Sequence, residues 1–112
     1  MNQPLVNLRV DFAFKQLFGS RGNEQILIEI QLNDQHHFLK RSLYYWSRLY
    51  ASQMQKGGSY DSLRKTITIN ILNFPVFSEY ETFHTTGKLW DIQLQKLLLD
   101  DLELHARQEV AS

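Results

Sequence analysis

The sequence predicts a small α+β or α/β fold in which a short sheet, with strands near residues 26–32 and 66–74, is packed by one helix near residues 38–56. Three observations predict it. Residues 26–32 alternate, with Ile26, Ile28, Ile30 and Leu32 on one face of an extended strand and Leu27, Glu29 and Gln31 on the other. In residues 38–56, Leu39, Leu43, Trp46, Tyr50 and Met54 form one helical stripe, while Arg41, Tyr45, Arg48 and Ser52 line the opposite side. The run "TITINILNF" reads as a buried strand with Ile67, Ile69 and Ile71 on one face, ended by Pro75.

Taken in order, the chain opens with a predicted short helix. Asn7 or Asp11 is placed to cap it, Val10, Phe14, Leu17 and Phe18 fall at helical spacing, and the two glycines of "FGSRGNE" break it. The strand at 26–32 follows, then "NDQHH" as a connector. The long helix should dock its Leu39/Leu43/Trp46/Tyr50 stripe on the sheet, and the paired glycines of "KGGSYDS" terminate it. The two strands are expected to be neighbours, because a chain this short offers few other partners. Beyond Pro75, "LWDIQLQKLLLDDL" reads as an amphipathic helix through Leu89, Trp90, Leu94, Leu97, Leu98 and Leu102, although "DDLELH" alone also suits a short strand. No repeat, low-complexity tract or linker divides the chain, so residues 1–112 are read as one domain, and "HARQEVAS" is expected to fray.

Composition limits the function classes. At 43% hydrophobic and 21% charged, the chain reads as a soluble folded domain rather than a disordered or membrane protein. A domain of this length buries roughly 65% of its unfolded surface. Twelve basic and twelve acidic residues cancel, so any contact with DNA must come from a local patch. The absence of cysteine excludes disulfides, thiolate chemistry and the usual structural zinc ligands, and is compatible with a reducing cytoplasm, the expected location. The opening "MNQPLVNLRVDFAFKQLFG" lacks a basic segment followed by an unbroken apolar run, and no stretch approaches a membrane span.

A Glu-x-Gln on a strand, followed by a helix bearing Arg41 and Tyr45 at i, i+4, brings four polar groups of catalytic type into one neighbourhood. By periodicity alone such a pair is usually solvated, and the Arg41/Arg48 stripe is usually an exposed helix face with phosphate contact as the alternative. His36, His37, His84 and His105 carry no metal-ligand spacing. Tyr44, Tyr45, Trp46 and Tyr50 suit packing better than a base-stacking platform, because they sit within a strongly amphipathic helix.

"DFAFKQLFGS", then "IEIQ", then "RSLYYWSRLYASQMQKGGSYDSLRKTITINILNF" together resemble the PD-(D/E)XK nuclease family transposases, also called recombination-promoting nucleases. The resemblance runs from about Asp11 to Phe74, with weaker echoes in "FH" and "DDLELH". It implies a restriction-endonuclease-like fold: a helix, a three-stranded meander bearing the active site, a second helix and a further strand. It also implies a metal-dependent DNA endonuclease linked to recombination or transposition, with Mg²⁺ as cofactor and DNA as partner. "ExQ" stands where the superfamily usually has (D/E)xK, so the resemblance makes Glu29 a metal-ligand carboxylate and puts Gln31 at the lysine position. Hard oxygen ligands suit such an ion, which neutralises charge on the scissile phosphate and activates water. Gln31 can orient water but carries no positive charge; Arg41 can supply that charge, and Tyr45 can hydrogen-bond the phosphate or the water.

One departure shapes the expectation of activity. Relatives carry a strand with an aspartate, in an "LDV"-like run, before the ExQ strand, whereas here "FGSRGNEQ" leads straight into "ILIEIQ". The chain therefore reads as an internally shortened member, a fragment of the fold that lacks most of the meander. Asp11, Glu24 and Asp34 are nearby acids, but pattern places none of them as the second ligand. Two readings follow: a catalytically impaired DNA endonuclease using Glu29, Gln31, Arg41 and Tyr45, or a non-catalytic module that pairs with itself or a full-length relative. A strand at 26–32 without its meander partners would leave an open edge, so a homo-oligomer through that edge is expected.

Overall fold

Strand-forming alternation governs most of the chain. A computed structural model describes residues 3–31, 37–73 and 82–109. These residues form β1 (Val6–Asp11), β2 (Gln16–Arg21), β3 (Glu24–Gln31), α1 (Phe38–Ala51), β4 (Thr66–Leu72), β5 (Thr82–Asp91) and β6 (Lys96–Glu109), with a single 3-10 turn at Tyr60–Ser62. Leu32, Asp34, His36, Phe74 and Pro75 lie outside the described residues. The sheet order is β1-β2-β3-β4-β6-β5. The first three strands run antiparallel as a meander, β3 lies parallel to β4, β4 parallel to β6, and β5 antiparallel to β6. α1 belongs to the crossover between β3 and β4, the long connection that a parallel pair requires. A mixed sheet carrying one helix is a small α+β, restriction-endonuclease-like arrangement, and its sheet is larger than the two strands expected from sequence.

Two sequence expectations are corrected by the hairpins. Residues 7–18 form strands rather than a helix: Asp11 Oδ1 accepts from the Phe14 backbone N–H at 3.2 Å and Lys15 adopts a positive φ of 52°, which turns the chain back on itself. The predicted helix through Leu89–Leu102 is the same device repeated. Asp91 Oδ1 accepts from the Leu94 N–H at 2.6 Å, Gln95 has φ 54°, and residues 96–109 run as β6, so "DDLELH" is strand. Helical spacing of apolar residues was real in both places. An Asx-type turn overrides it, because the side-chain carboxylate closes the loop locally and strand pairing then satisfies the flanking backbone.

A third expectation fails because the meander is present. β3 has β2 on one side and β4 on the other, so it offers no open edge for oligomerisation; the edges are β1 and β5. The chain does not lack the strand preceding Glu-x-Gln: β2 occupies that place.

α1 sits on the face that carries Leu27, Glu29 and Gln31, and the stripe it docks is rotated from the predicted one. Phe38 and Ser42 are buried, whereas Leu39 and Leu43 are 59% and 47% exposed. Trp46 and Tyr50 do contact the sheet side: the Trp46 indole donates to the Thr66 carbonyl at 2.7 Å, and Tyr50 Oη donates to Asp101 at 2.5 Å. The physical reason is the polarity of the sheet beneath. Thr66, Thr68 and Asn70 point towards the helix, so Ser42 meets Thr68 Oγ1 at 3.1 Å and accepts from Asn70 Nδ2 at 2.8 Å, and leucines there would strand those groups. Phe38, Leu72 and Ala106 form a buried apolar cluster. Among the described residues eight polar side chains are buried against six apolar ones, a ratio that points to a built polar site rather than a purely apolar core.

The opposite face of β4, β6 and β5 carries a charged cluster. Lys65 and Lys88 each approach Glu103 Oε1 at 3.2 Å, and His105 Nε2 meets Glu103 Oε2 at 2.6 Å. Burial works against the charge of Glu103, yet the bonds from His105, Lys88 and Lys65 outweigh it and hold the carboxyl at about 2 against an ordinary 4.5. A carboxyl depressed by folding adds stability above its unfolded pKa and loses it as pH falls through the folded one. The melting temperature is therefore expected to fall between pH 4.5 and pH 2. Glu103→Gln should flatten that slope and lower stability at neutral pH by on the order of 1 kcal/mol, read from urea melts at each pH. An unchanged acid slope in the variant would rule the cluster out as its source.

Candidate active site

Glu29 is the centre of one row of residues that crosses the sheet. Register pairs Asp11 with Gln16, Gln16 with Glu29, Glu29 with Asn70, and Asn70 with Ala106. Directly paired residues share a face, so this row reads carboxylate, carboxamide, carboxylate, carboxamide on the side covered by α1. Gln31, two residues along β3, shares the face of Glu29. Residues 16, 29, 31 and 70 are all buried.

Glu29 is 2% exposed and both its carboxylate oxygens are engaged. Oε2 accepts from Gln16 Nε2 at 3.0 Å; Oε1 accepts from Gln31 Nε2 at 2.9 Å and from Arg41 Nε in a short ion pair. Gln31 Nε2 also reaches Asn70 Oδ1 at 3.3 Å, and Asn70 Nδ2 donates to the His105 carbonyl at 3.1 Å. Arg41 lies in the first turn of α1, where it reaches down to β3 while its guanidinium stays 5.4 Å from the Tyr45 ring centroid. The structure thus brings Glu29, Gln31, Arg41 and Tyr45 together. Two members were missed from sequence: Gln16 and Asn70 are 13 and 41 residues from Glu29, and only strand pairing reveals them.

Beside this network a cleft of about 320 Å³ opens between the β1–β2 hairpin and α1, lined among others by Arg9, Asp11, Gln16, Tyr45 and Arg48. A second cleft, about 350 Å³, shares Arg9, Phe18, Leu49 and Ser52 with it and adds Gln25 and Arg64. Together they make one groove. Arg9 stacks over Phe18 at 4.4 Å and Arg48 over Tyr44 at 5.7 Å, and among the described residues neither they nor Arg64 form a salt bridge. Gln25 Oε1 is buried without a hydrogen-bond partner.

The fit to a divalent cation is poor. Mg²⁺ takes oxygen ligands in near-octahedral array and keeps several waters, for which one or two free carboxylates are usual. Here Glu29 is neutralised by Arg41 and both its oxygens already accept hydrogen bonds. Asp11 is two strands away, roughly 10 Å at ordinary strand spacing, and its Oδ1 is turned to Phe14. Glu24 pairs with Arg21 at 3.1 Å. Among the described residues no group of three His, Cys, Asp or Glu is placed to hold a metal. His84 and His105 do meet, at 2.8 Å, but on the opposite face of the sheet.

Among the described residues no helix is long and apolar enough to cross a membrane. Searches of curated proteins and of solved structures returned no match. A family model described as PD-(D/E)XK nuclease family transposase matches residues 21–106, which takes in β3, α1, β4 and β5 and most of β6, and begins after Gln16. With that match spanning most of its 112 residues, and with Glu-x-Gln on a central strand of a restriction-endonuclease-like sheet, the chain belongs to the PD-(D/E)XK nuclease family transposases.

Proposed function

We propose that this chain binds DNA along the groove between β1–β2 and α1, and that phosphodiester cleavage at Glu29 is impaired. The observation that carries the second half is the residue opposite Glu29: Gln16, a carboxamide, on the strand where the family resemblance implies an aspartate. A carboxamide donates to Glu29 where a second carboxylate would share a cation, so the site closes on itself through hydrogen bonds. The groove supports the first half. Arg9, Arg48 and Arg64 face solvent without carboxylate partners among the described residues, and such guanidinium groups suit phosphate contact.

In this reading Arg41 and Tyr45 flank the phosphate nearest Glu29, and Gln31 orients the carboxylate rather than a water. A role beside recombination or transposition follows from the family alone. The decisive experiment combines binding and cleavage. Affinity for a short fluorescent DNA should fall steeply with salt, and Arg9→Ala, Arg48→Ala and Arg64→Ala should each reduce the salt slope by about 1. Supercoiled plasmid with Mg²⁺ or Mn²⁺ should be nicked only near background. Robust nicking that disappears in Glu29→Ala would overturn the impairment, and absence of any salt-sensitive DNA binding would overturn the substrate.

A further inference from the structure

The β5–β6 hairpin runs past the body of the sheet. β4 pairs with residues 102–108 of β6, so residues 89–99 form a two-stranded arm held by its own ladder, Leu89 to Leu99, Trp90 to Leu97 and Asp91 to Lys96. Seven large apolar side chains lie between Leu89 and Leu99, and every one keeps more than a third of its surface exposed; Ile92 at the tip is 78% exposed. A lone hairpin is marginal in water even with one face covered, and this one has both faces apolar. The other hairpin tip has the same turn and an exposed Phe12, but it does not overhang, because Gln16 at its base is already paired to Glu29.

We propose that this arm is the contact between two copies of the chain, independently of the chemistry at Glu29. Area supports it: seven such side chains leaving roughly 100 Å² each offer about 700 Å², close to the ~800 Å² per partner of a stable interface. Charge supports it as well. Within residues 89–101 Lys96 stands against Asp91, Asp100 and Asp101, which disfavours an anionic lipid surface, while twelve basic and twelve acidic residues leave no net repulsion between copies. Topology supports it too. β5 is an edge strand of the described sheet, so a two-fold axis beside the arm brings the same apolar patch and the same open strand edge together from both copies.

The test is sedimentation over a wide concentration range. The parent is expected as a two-chain species, and the double variant Ile92→Asp/Leu94→Asp as a single chain with unchanged far-ultraviolet circular dichroism, its association weakened at least about 100-fold. Phe12→Asp, at the other tip, should still associate. Should the double variant unfold, Trp90→Lys and concentration-dependent hydrogen exchange of the β5–β6 amides in the parent give the same reading. A parent that stays single at every concentration overturns the proposal, as does dissociation by Phe12→Asp alone. Uptake of a monomeric parent by neutral or anionic vesicles would assign the arm to a membrane instead and overturn it equally.

Discussion

Gln16→Asp is expected to create a divalent-cation site that the described residues around Glu29 do not form in the parent. The substitution removes the Nε2 donor that now holds Glu29 Oε2 at 3.0 Å and puts a shorter carboxylate directly across the ladder from it. The missing methylene leaves room for an ion, and Asp11 is next in the same row. Without cation, facing carboxylates repel and one is pushed to hold its proton, so stability should fall by about 2 kcal/mol. With Mn²⁺ or Mg²⁺ at about 100 times its dissociation constant, binding to the folded state should restore about 2.7 kcal/mol. Calorimetric melts with and without cation read this directly, and Mn²⁺ paramagnetic resonance counts the bound ion. Gln16→Asn is the control, since it shortens the side chain without charge. Plasmid nicking should rise by about 100-fold over the parent if the new ion is also productive. A melting temperature that ignores cation in Gln16→Asp would show that position 16 is not where the second ligand belongs.

Such a result bears on what could be read from the chain alone. β3 was legible because Ile26, Ile28 and Ile30 alternate with Leu27, Glu29 and Gln31, and α1 was legible because Trp46 and Tyr50 recur at helical spacing. Which face of β3 is covered was not. Alternation says that two faces differ, but the helix settles on the polar one, because Thr68, Asn70 and Glu29 need partners that Ser42 and Arg41 supply. The isoleucine face keeps Ile26 and Ile67 buried while Ile30 remains exposed. Burial there follows from neighbouring strands, which no local pattern encodes.

The two hairpins were misread for a different reason. Val10, Phe14, Leu17 and Phe18 satisfy helical spacing as well as Leu89, Trp90, Leu94 and Leu97 do, yet in each case an aspartate three residues before a backbone N–H reverses the chain. "VDFAFKQLF" and "WDIQLQKLL" share apolar residues at five of nine places and the aspartate at a sixth. Comparing those two segments would have exposed the common turn. Gln16 and Asn70 carry no such local signal. Their place beside Glu29 exists only through antiparallel pairing to β2 and parallel pairing to β4.

Arg41→Met is expected to be the most destabilising single change in the site, by about 3 kcal/mol, because it leaves the carboxylate of Glu29 buried without its cation. That is a large part of the stability of an ordinary domain. Glu29→Gln should cost less, about 1 kcal/mol, since the Arg41 side chain is 34% exposed and can turn its charge to water. The double variant should then lie close to Glu29→Gln alone, giving a coupling of about 3 kcal/mol between the positions. Urea melts of the four proteins measure it, and additive losses would mean that Arg41 acts through packing against Tyr45 instead. The sign of the coupling also fixes the cost of cation entry. An ion at Glu29 competes with the Arg41 cation for the same carboxylate, so Arg41→Met in the Gln16→Asp background should bind cation more tightly than Gln16→Asp by itself. Weaker binding in that combination would show that Arg41 orients the carboxylate for the ion rather than competing with it.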